Sequence, residues 1–170
     1  MTPGGEAQPA GTRFETGLIV GRFNPPHLGH SYMIQRAAAR CDRLVVFVNT
    51  RNGELVPGHL RAGWLADLHP GVHVVKVAHD LDTGWDDEGL WVRWMSLFRS
   101  RWPHDTGPHA VFSSDPYVDE LARRFNAQPV IVDADRTAVP ISATMIRVAP
   151  AQHLDAVAPA VREWIIDNLL

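Results

Sequence analysis

Leu18-Ile19-Val20-Gly21-Arg22-Phe23-Asn24-Pro25-Pro26-His27-Leu28-Gly29-His30 is the stretch whose reading decides the fold. As far as Phe23 it is a short apolar run of strand character. Asn24-Pro25-Pro26 ends that run, because proline has no N–H to give to a ladder. From Leu28 to Arg40 the apolar residues Met33, Ile34, Ala37 and Ala38 recur at helical spacing. A strand, a loop carrying glycine and a helix N-terminus, in that order, open a βαβ unit.

Outward from there the pattern repeats. Leu44 to Val48, Val72 to Val77, His109 to Ser113 and Val130 to Val132 read as further strands. His59 to Leu68, Leu90 to Arg101 and Val118 to Phe125 read as helices between them, and Pro159 to Leu169 as a closing helix. Ala78 to Glu88, with Asp80, Asp82, Asp86, Asp87 and Gly84-Trp85, reads as an acidic loop. This alternation predicts an α/β fold: a Rossmann-like, doubly wound parallel sheet of about five strands with helices on both faces. Such sheets bind ligands beyond the C-terminal ends of their strands, so the loops after the first, third and fourth strands are the ones to search.

The 170 residues suit one domain, and no internal repeat or linker divides them. Residues 1–15, rich in Gly, Pro and Ala, read as a disordered tail, and 16–170 as a single domain. A net charge of -3 argues against a duplex nucleic-acid partner, which demands an excess of cations. Lys76 is the only lysine, and arginine supplies the other cations, a bias that a high-GC genome also produces. Cys41, the only cysteine, excludes an internal disulfide and reads as a small buried residue at the end of a helix. With no signal peptide and no apolar run of membrane length, the expectation is a soluble, cytoplasmic protein without a membrane partner. The sequence is compatible with a homo-oligomer and leaves the oligomeric state open.

The loop after the first strand carries the chemistry. Gly21 lets backbone approach a ligand closely, and the helix that follows offers free N–H groups and a positive dipole end. His27 and His30 share one face of its first turn, with Gly29 between them leaving that face open. Two ring N–H donors converging there suit the α-phosphate of a nucleotide, where charge accumulates during displacement. Metal binding is the competing use of such a pair, but no third ligand stands nearby in sequence. Either histidine alone reads more readily as structural.

Near the other end, Ser142 and Thr144 sit at a helix start, able to cap it or donate to phosphate, and Arg147 follows one turn later. His27-Leu28-Gly29-His30 resembles the His-x-Gly-His motif of the nucleotidyltransferase superfamily. Ile141-Ser142-Ala143-Thr144-Met145-Ile146-Arg147 resembles the Ile-Ser-x-Thr-x-x-Arg signature of its small members. Class I aminoacyl-tRNA synthetases share the first motif, but they are larger and carry a lysine-rich second signature absent here. Phe112-Ser113-Ser114-Asp115-Pro116-Tyr117, Val132-Asp133-Ala134-Asp135-Arg136 and Leu60-Arg61 with Trp64-Leu65 narrow the likeness. They resemble the adenylyltransferase module of the bacterial bifunctional nicotinamide-mononucleotide (NMN) adenylyltransferase/ribosylnicotinamide kinase family. The similarity runs from about Gly17 to Ile166, with Asp115 in place of that family's usual glutamate. Members of the family continue into a P-loop kinase, and some begin with a DNA-binding helix-turn-helix. No Gly-x-x-x-x-Gly-Lys-Ser is present here, so kinase activity is expected to be absent.

The resemblance implies a nucleotidyltransferase fold and an enzyme that moves AMP from ATP to NMN, yielding NAD and pyrophosphate. It implies catalytic roles for His27, His30 and Arg147. Gly21, Arg22, Phe23, Asn24, Gly29, Arg136, Ser142 and Thr144 would then serve ATP and its phosphates, with Mg²⁺ carried on the phosphates. On the NMN side, Trp85 beside Asp82 offers a ring face and an acid for a cationic nicotinamide, with Trp91 the alternative. Ser113, Asp115 and Tyr117 are assigned to the same side, where ribose or base contacts would fall. Two other readings stand: a small nucleotidyltransferase with a phosphopantetheine, FMN or cytidylyl acceptor, and a non-catalytic nucleotide-sensing module.

Overall fold

Among the described residues five strands form one parallel sheet: β1 (Phe14–Gly21), β2 (Cys41–Thr50), β3 (His73–Ala78), β4 (Ala110–Ser113) and β5 (Gln128–Ile131). Their order across the sheet is β3-β2-β1-β4-β5, all pairs parallel. Each return to the sheet is made through a helix: α1 (Leu28–Ala38), α2 (Gly58–Leu68), α3 (Glu88–Arg101) and α4 (Val118–Phe125). Beyond β5 come α5 (Ala143–Val148), two short 3₁₀ turns and α6 (Pro159–Leu169). The computed structural model describes residues 12–170.

The sheet is buried on both faces, as its continuous apolar strands require. On one side Leu18, Val45, Phe47 and Val111 pack against Leu90, Trp94 and Phe98 of α3 and Leu121 and Phe125 of α4. On the other, Ile19, Val46, Val48 and Phe112 pack against Met33, Ile34 and Ala37 of α1 and Leu65 of α2. A third cluster joins Ile141 and Ile146 to Val161 and Ile165 of α6. This is the expected Rossmann-like, doubly wound architecture. Chain order reverses between β1 and β4, so a crevice opens beyond the ends of those two strands.

Several boundaries shift. β1 begins at Phe14, inside the expected tail, where Arg13 is anchored by Asp42 at 3.0 Å. Most of that tail, residues 1–11, lies outside the described residues. Phe23 is not part of the strand; it turns in the left-handed region at φ 54 with its ring buried. Cys41 opens β2 instead of closing a helix, and burial pushes its thiol up to about 12. No helix among the described residues is long and apolar enough to cross a membrane.

Candidate active site

The crevice holds a cavity of about 250 Å³ lined by five segments of chain. The β1–α1 loop brings Gly21, Arg22, Phe23 and Asn24, and the start of α1 brings His27, Gly29 and His30. The end of β4 brings Ser113, Asp115 and Tyr117, the β5–α5 loop brings Arg136, and the start of α5 brings Ser142, Thr144 and Arg147. Fourteen of the residues singled out by sequence therefore meet around one cavity, although the first and last, Gly21 and Arg147, lie 126 positions apart.

His27 is the N-cap of α1. Its Nδ1 accepts from the N–H groups of Gly29 (3.0 Å) and His30 (3.3 Å), and His30 Nδ1 accepts the N–H of His27 at 3.1 Å. This is a capping box built from two imidazoles. It has a chemical consequence. With both Nδ1 atoms accepting from amides, the proton of each neutral ring sits on Nε2. The rings stack at 3.6 Å and 21°, and Phe23 meets His30 edge-on at 4.7 Å. Burial, then the Arg136 charge, lowers His27 to about 4. Burial, His27 and Arg136 together hold His30 well below the ordinary histidine range. Both rings are therefore neutral Nε2–H donors at neutral pH. Gly29 is required here by steric fit, since a Cβ would lie 2.9 Å from Cε1 of His27.

Arg147 lines the cavity from α5. It donates to the Asn24 carbonyl at 2.7 Å and to Thr144 Oγ1 at 3.2 Å, tying α5 to the β1–α1 loop. Ser142 caps α5 through Met145 N (3.2 Å). Arg22 is largely exposed, with Glu54 at 4.0 Å. Three guanidinium groups against a single carboxylate, Asp115, make this lining cationic. Among the described residues no group of three or more His, Cys, Asp and Glu could hold a metal ion.

Three of the expected residues, Trp91, Asp82 and Trp85, stand outside the cavity lining. Asn24 lines the cavity with its side chain buried, and its Oδ1 accepts from Val56 N at 3.0 Å, so it also braces the loop. Trp91 and Asp82 do not line the cavity. Trp91 is 6% exposed, with Arg124 over its ring at 4.7 Å and Nε1 donating to the Trp85 carbonyl. Asp82 points outward and pairs with Arg51 at 3.4 Å. Trp85 also stands outside the lining, but it is 61% exposed and stacks on Tyr117 at 5.2 Å and 21°. Tyr117, which does line the cavity, donates its hydroxyl to the Val20 carbonyl at 2.7 Å.

Sequence reading missed the support behind the phosphate loop. Arg61, 1% exposed, donates to the carbonyls of Arg22 (2.7 Å), Asn49 (3.1 Å) and Val56 (2.9 Å) and pairs with Glu54 at 2.6 Å. Leu60-Arg61 entered the sequence reading only as part of the family likeness; the physical signal of its role was an arginine standing among apolar positions of a helix.

Known proteins resemble this chain in the same places. The cytidylyltransferase-like family model matches residues 18–55, the segment holding the histidine pair. The trifunctional NAD biosynthesis/regulator protein NadR of Escherichia coli (strain K12) is 24% identical over 88% of this chain and 40% of its own. A nicotinamide-nucleotide adenylyltransferase of Methanospirillum hungatei is 27% identical over 61% of this chain and 59% of its own. Among solved structures, NadR in complex with NAD and AMP-PNP superimposes with TM-score 0.63 at 23% identity, covering 86% of this chain and 46% of that one. A bifunctional NMN adenylyltransferase/ADP ribose pyrophosphatase from Francisella tularensis gives 0.60 at 13% identity, over 85% and 44%. The chain spans about two fifths of the NadR proteins it matches. The likeness to these structures is one of fold, a doubly wound parallel sheet.

Proposed function

We propose that this chain is a nicotinamide-nucleotide adenylyltransferase, transferring AMP from ATP to NMN to give NAD and pyrophosphate. One observation carries the reading: two neutral Nε2–H donors on a helix N-terminus share a cavity with Arg22, Arg136 and Arg147. That set suits a polyphosphate whose α-phosphoryl group gains charge in transit. The nucleophile, a phosphate oxygen of NMN, is already ionised at neutral pH and needs no general base. It forms a bond to the α-phosphorus as the bond to the bridging β-phosphate oxygen breaks, and pyrophosphate departs with that electron pair. His27 and His30 donate to the α-phosphate oxygens, and the arginines hold the departing β- and γ-phosphates. Ser142 and Thr144 add hydroxyl donors. Magnesium bound to the ATP phosphates would neutralise part of their charge.

The NMN assignment draws on Tyr117 and the Trp85 ring stacked against it, which offer a flat aromatic wall beside the cavity. The reading takes the residues from Thr16 onward as one nucleotidyltransferase domain. The assay is NAD and pyrophosphate formation from NMN and MgATP, with FMN, phosphopantetheine and CTP-dependent reactions run in parallel. Turnover with one of those and none with NMN overturns the acceptor. His30→Ala is expected to lower kcat by about 10²-fold or more, the size of one charge-stabilising donor. A fully active His30→Ala would sink the site itself.

A further inference from the structure

Asp133 stands in the β5–α5 loop, a segment that turns twice through the left-handed region, at Asp133 (φ 50) and at Arg136 (φ 53). Non-glycine residues are uncommon in that conformation, aspartate less so than arginine, and two in one loop call for support from their surroundings. Here that support comes from one carboxylate. Asp133 Oδ1 accepts from Thr137 N (2.9 Å), Ala138 N (3.0 Å) and Thr137 Oγ1 (3.2 Å), and Oδ2 accepts from Val139 N at 3.2 Å. Its carbonyl takes the Arg136 N–H at 2.9 Å, closing the turn. These amide bonds, Ala138 first, hold the carboxyl below the usual aspartate range.

The turn aims Arg136. Its guanidinium lines the cavity, donates to the Ile141 carbonyl at 3.3 Å and lies 3.8 Å from Asp115. It is near enough to both histidines to disfavour their protonation. Arg136 and Asp115 are the charged residues brought to the cavity by the two loops on this side.

We propose that Asp133 is a positioning residue for the triphosphate: its carboxylate holds the β5–α5 loop in the conformation that delivers Arg136 into the cavity. This rests on the reading of the cavity as an ATP site. Asp133 touches no substrate, so its effect passes through Arg136.

The test uses the full chain, with MgATP affinity measured by calorimetry beside steady-state kinetics. Asp133→Ala is expected to raise the Kd and KM for MgATP about tenfold, the size of one lost charge-assisted contact, with kcat changed far less. Arg136→Ala should do the same, and the double variant should be no weaker than Arg136→Ala alone. Asp133→Asn keeps one oxygen for Thr137 and Ala138 and should fall between parent and alanine variant. It also carries the test if Asp133→Ala does not fold. Additive losses in the double variant, or parent-like MgATP affinity in a folded Asp133 variant, overturn the role. If His30→Ala abolishes turnover while Asp133→Ala binds MgATP normally, only this inference falls. If His30→Ala is fully active, the underlying reading falls with it.

Discussion

His27 and His30 cap each other's backbone: each Nδ1 accepts the other's main-chain N–H, at 3.3 and 3.1 Å. The arrangement fixes two ring orientations and two tautomers with one turn of helix. It also couples protonation to structure. A proton placed on either Nδ1 replaces an acceptor with a donor facing an N–H, so the charged form costs the cap.

Stability should therefore fall in acid. A histidine whose folded pKa lies below its unfolded value stabilises the fold fully above about 6.5, and that contribution is lost as pH falls toward about 4 for His27. His30, held well below the ordinary range, acts in the same direction, as do His69, His79 and His104. Urea denaturation at pH 7.5, 6, 5 and 4.5 should show a steady decline in the parent. The slope should be shallower in His27→Asn/His30→Asn, which retains short side-chain acceptors without the titration. Equal slopes in both proteins would remove the histidine pair as a cause.

The buried Arg61–Glu54 pair should matter more to folding than its distance from the histidines suggests. Arg61→Met would take from Glu54 its nearest cation, leaving it the Arg51 N–H and the more distant Arg22, and leave the carbonyls of Arg22, Asn49 and Val56 without that donor. Breaking a buried pair in this way costs about 3–5 kcal/mol. Chemical denaturation of Arg61→Met should show a loss of that order. A loss below about 1 kcal/mol would mean that the loop stands without the clasp.

Which parts of this could be read in the sequence follows from the range of the interactions. The strand–loop–helix opening was legible because it is local: proline ends the strand and periodicity starts the helix within one stretch. The cavity lining was legible because two motifs at opposite ends of the domain each carry phosphate-binding residue types. That Asn24 also braces the loop was not legible, because its partner, Val56, lies 32 residues on. Glu54 was invisible because an acid in a surface-like loop gives no sign that it closes over a buried arginine. Trp91 and Trp85 look alike in sequence, six residues apart; only packing buries one and exposes the other.

Gly29 offers a sharp steric test. A methyl group there would sit 2.9 Å from Cε1 and 3.0 Å from Nδ1 of His27, closer than non-bonded atoms tolerate. Alanine is otherwise a better helix former than glycine, by about 1 kcal/mol. If steric fit governs, Gly29→Ala should lower kcat at least tenfold and leave thermal stability unchanged or reduced. If propensity governs, the variant should be more stable and fully active. Differential scanning fluorimetry with the adenylyltransferase assay separates the two outcomes.

The two tryptophans near the acceptor end should part company under substitution. Trp85 is exposed and stacked on Tyr117 at the cavity edge, so an aromatic ligand can meet it without unpacking the core. Stacking and cation–π contacts of this kind contribute about 0.5–2 kcal/mol. Trp85→Ala should therefore raise KM for NMN roughly three- to thirtyfold and leave KM for ATP and the folding midpoint nearly unmoved. Trp91 is covered by Arg124 and Trp85 and anchors the Trp85 carbonyl through Nε1. Trp91→Phe should act through packing, lowering stability by about 1–2 kcal/mol through the lost hydrogen bond and void. Its KM for NMN should shift less than that of Trp85→Ala. The reverse pattern, with NMN affinity following Trp91 while Trp85→Ala is silent, would place the acceptor ring on the core side of the loop and require Trp91 to become uncovered on binding.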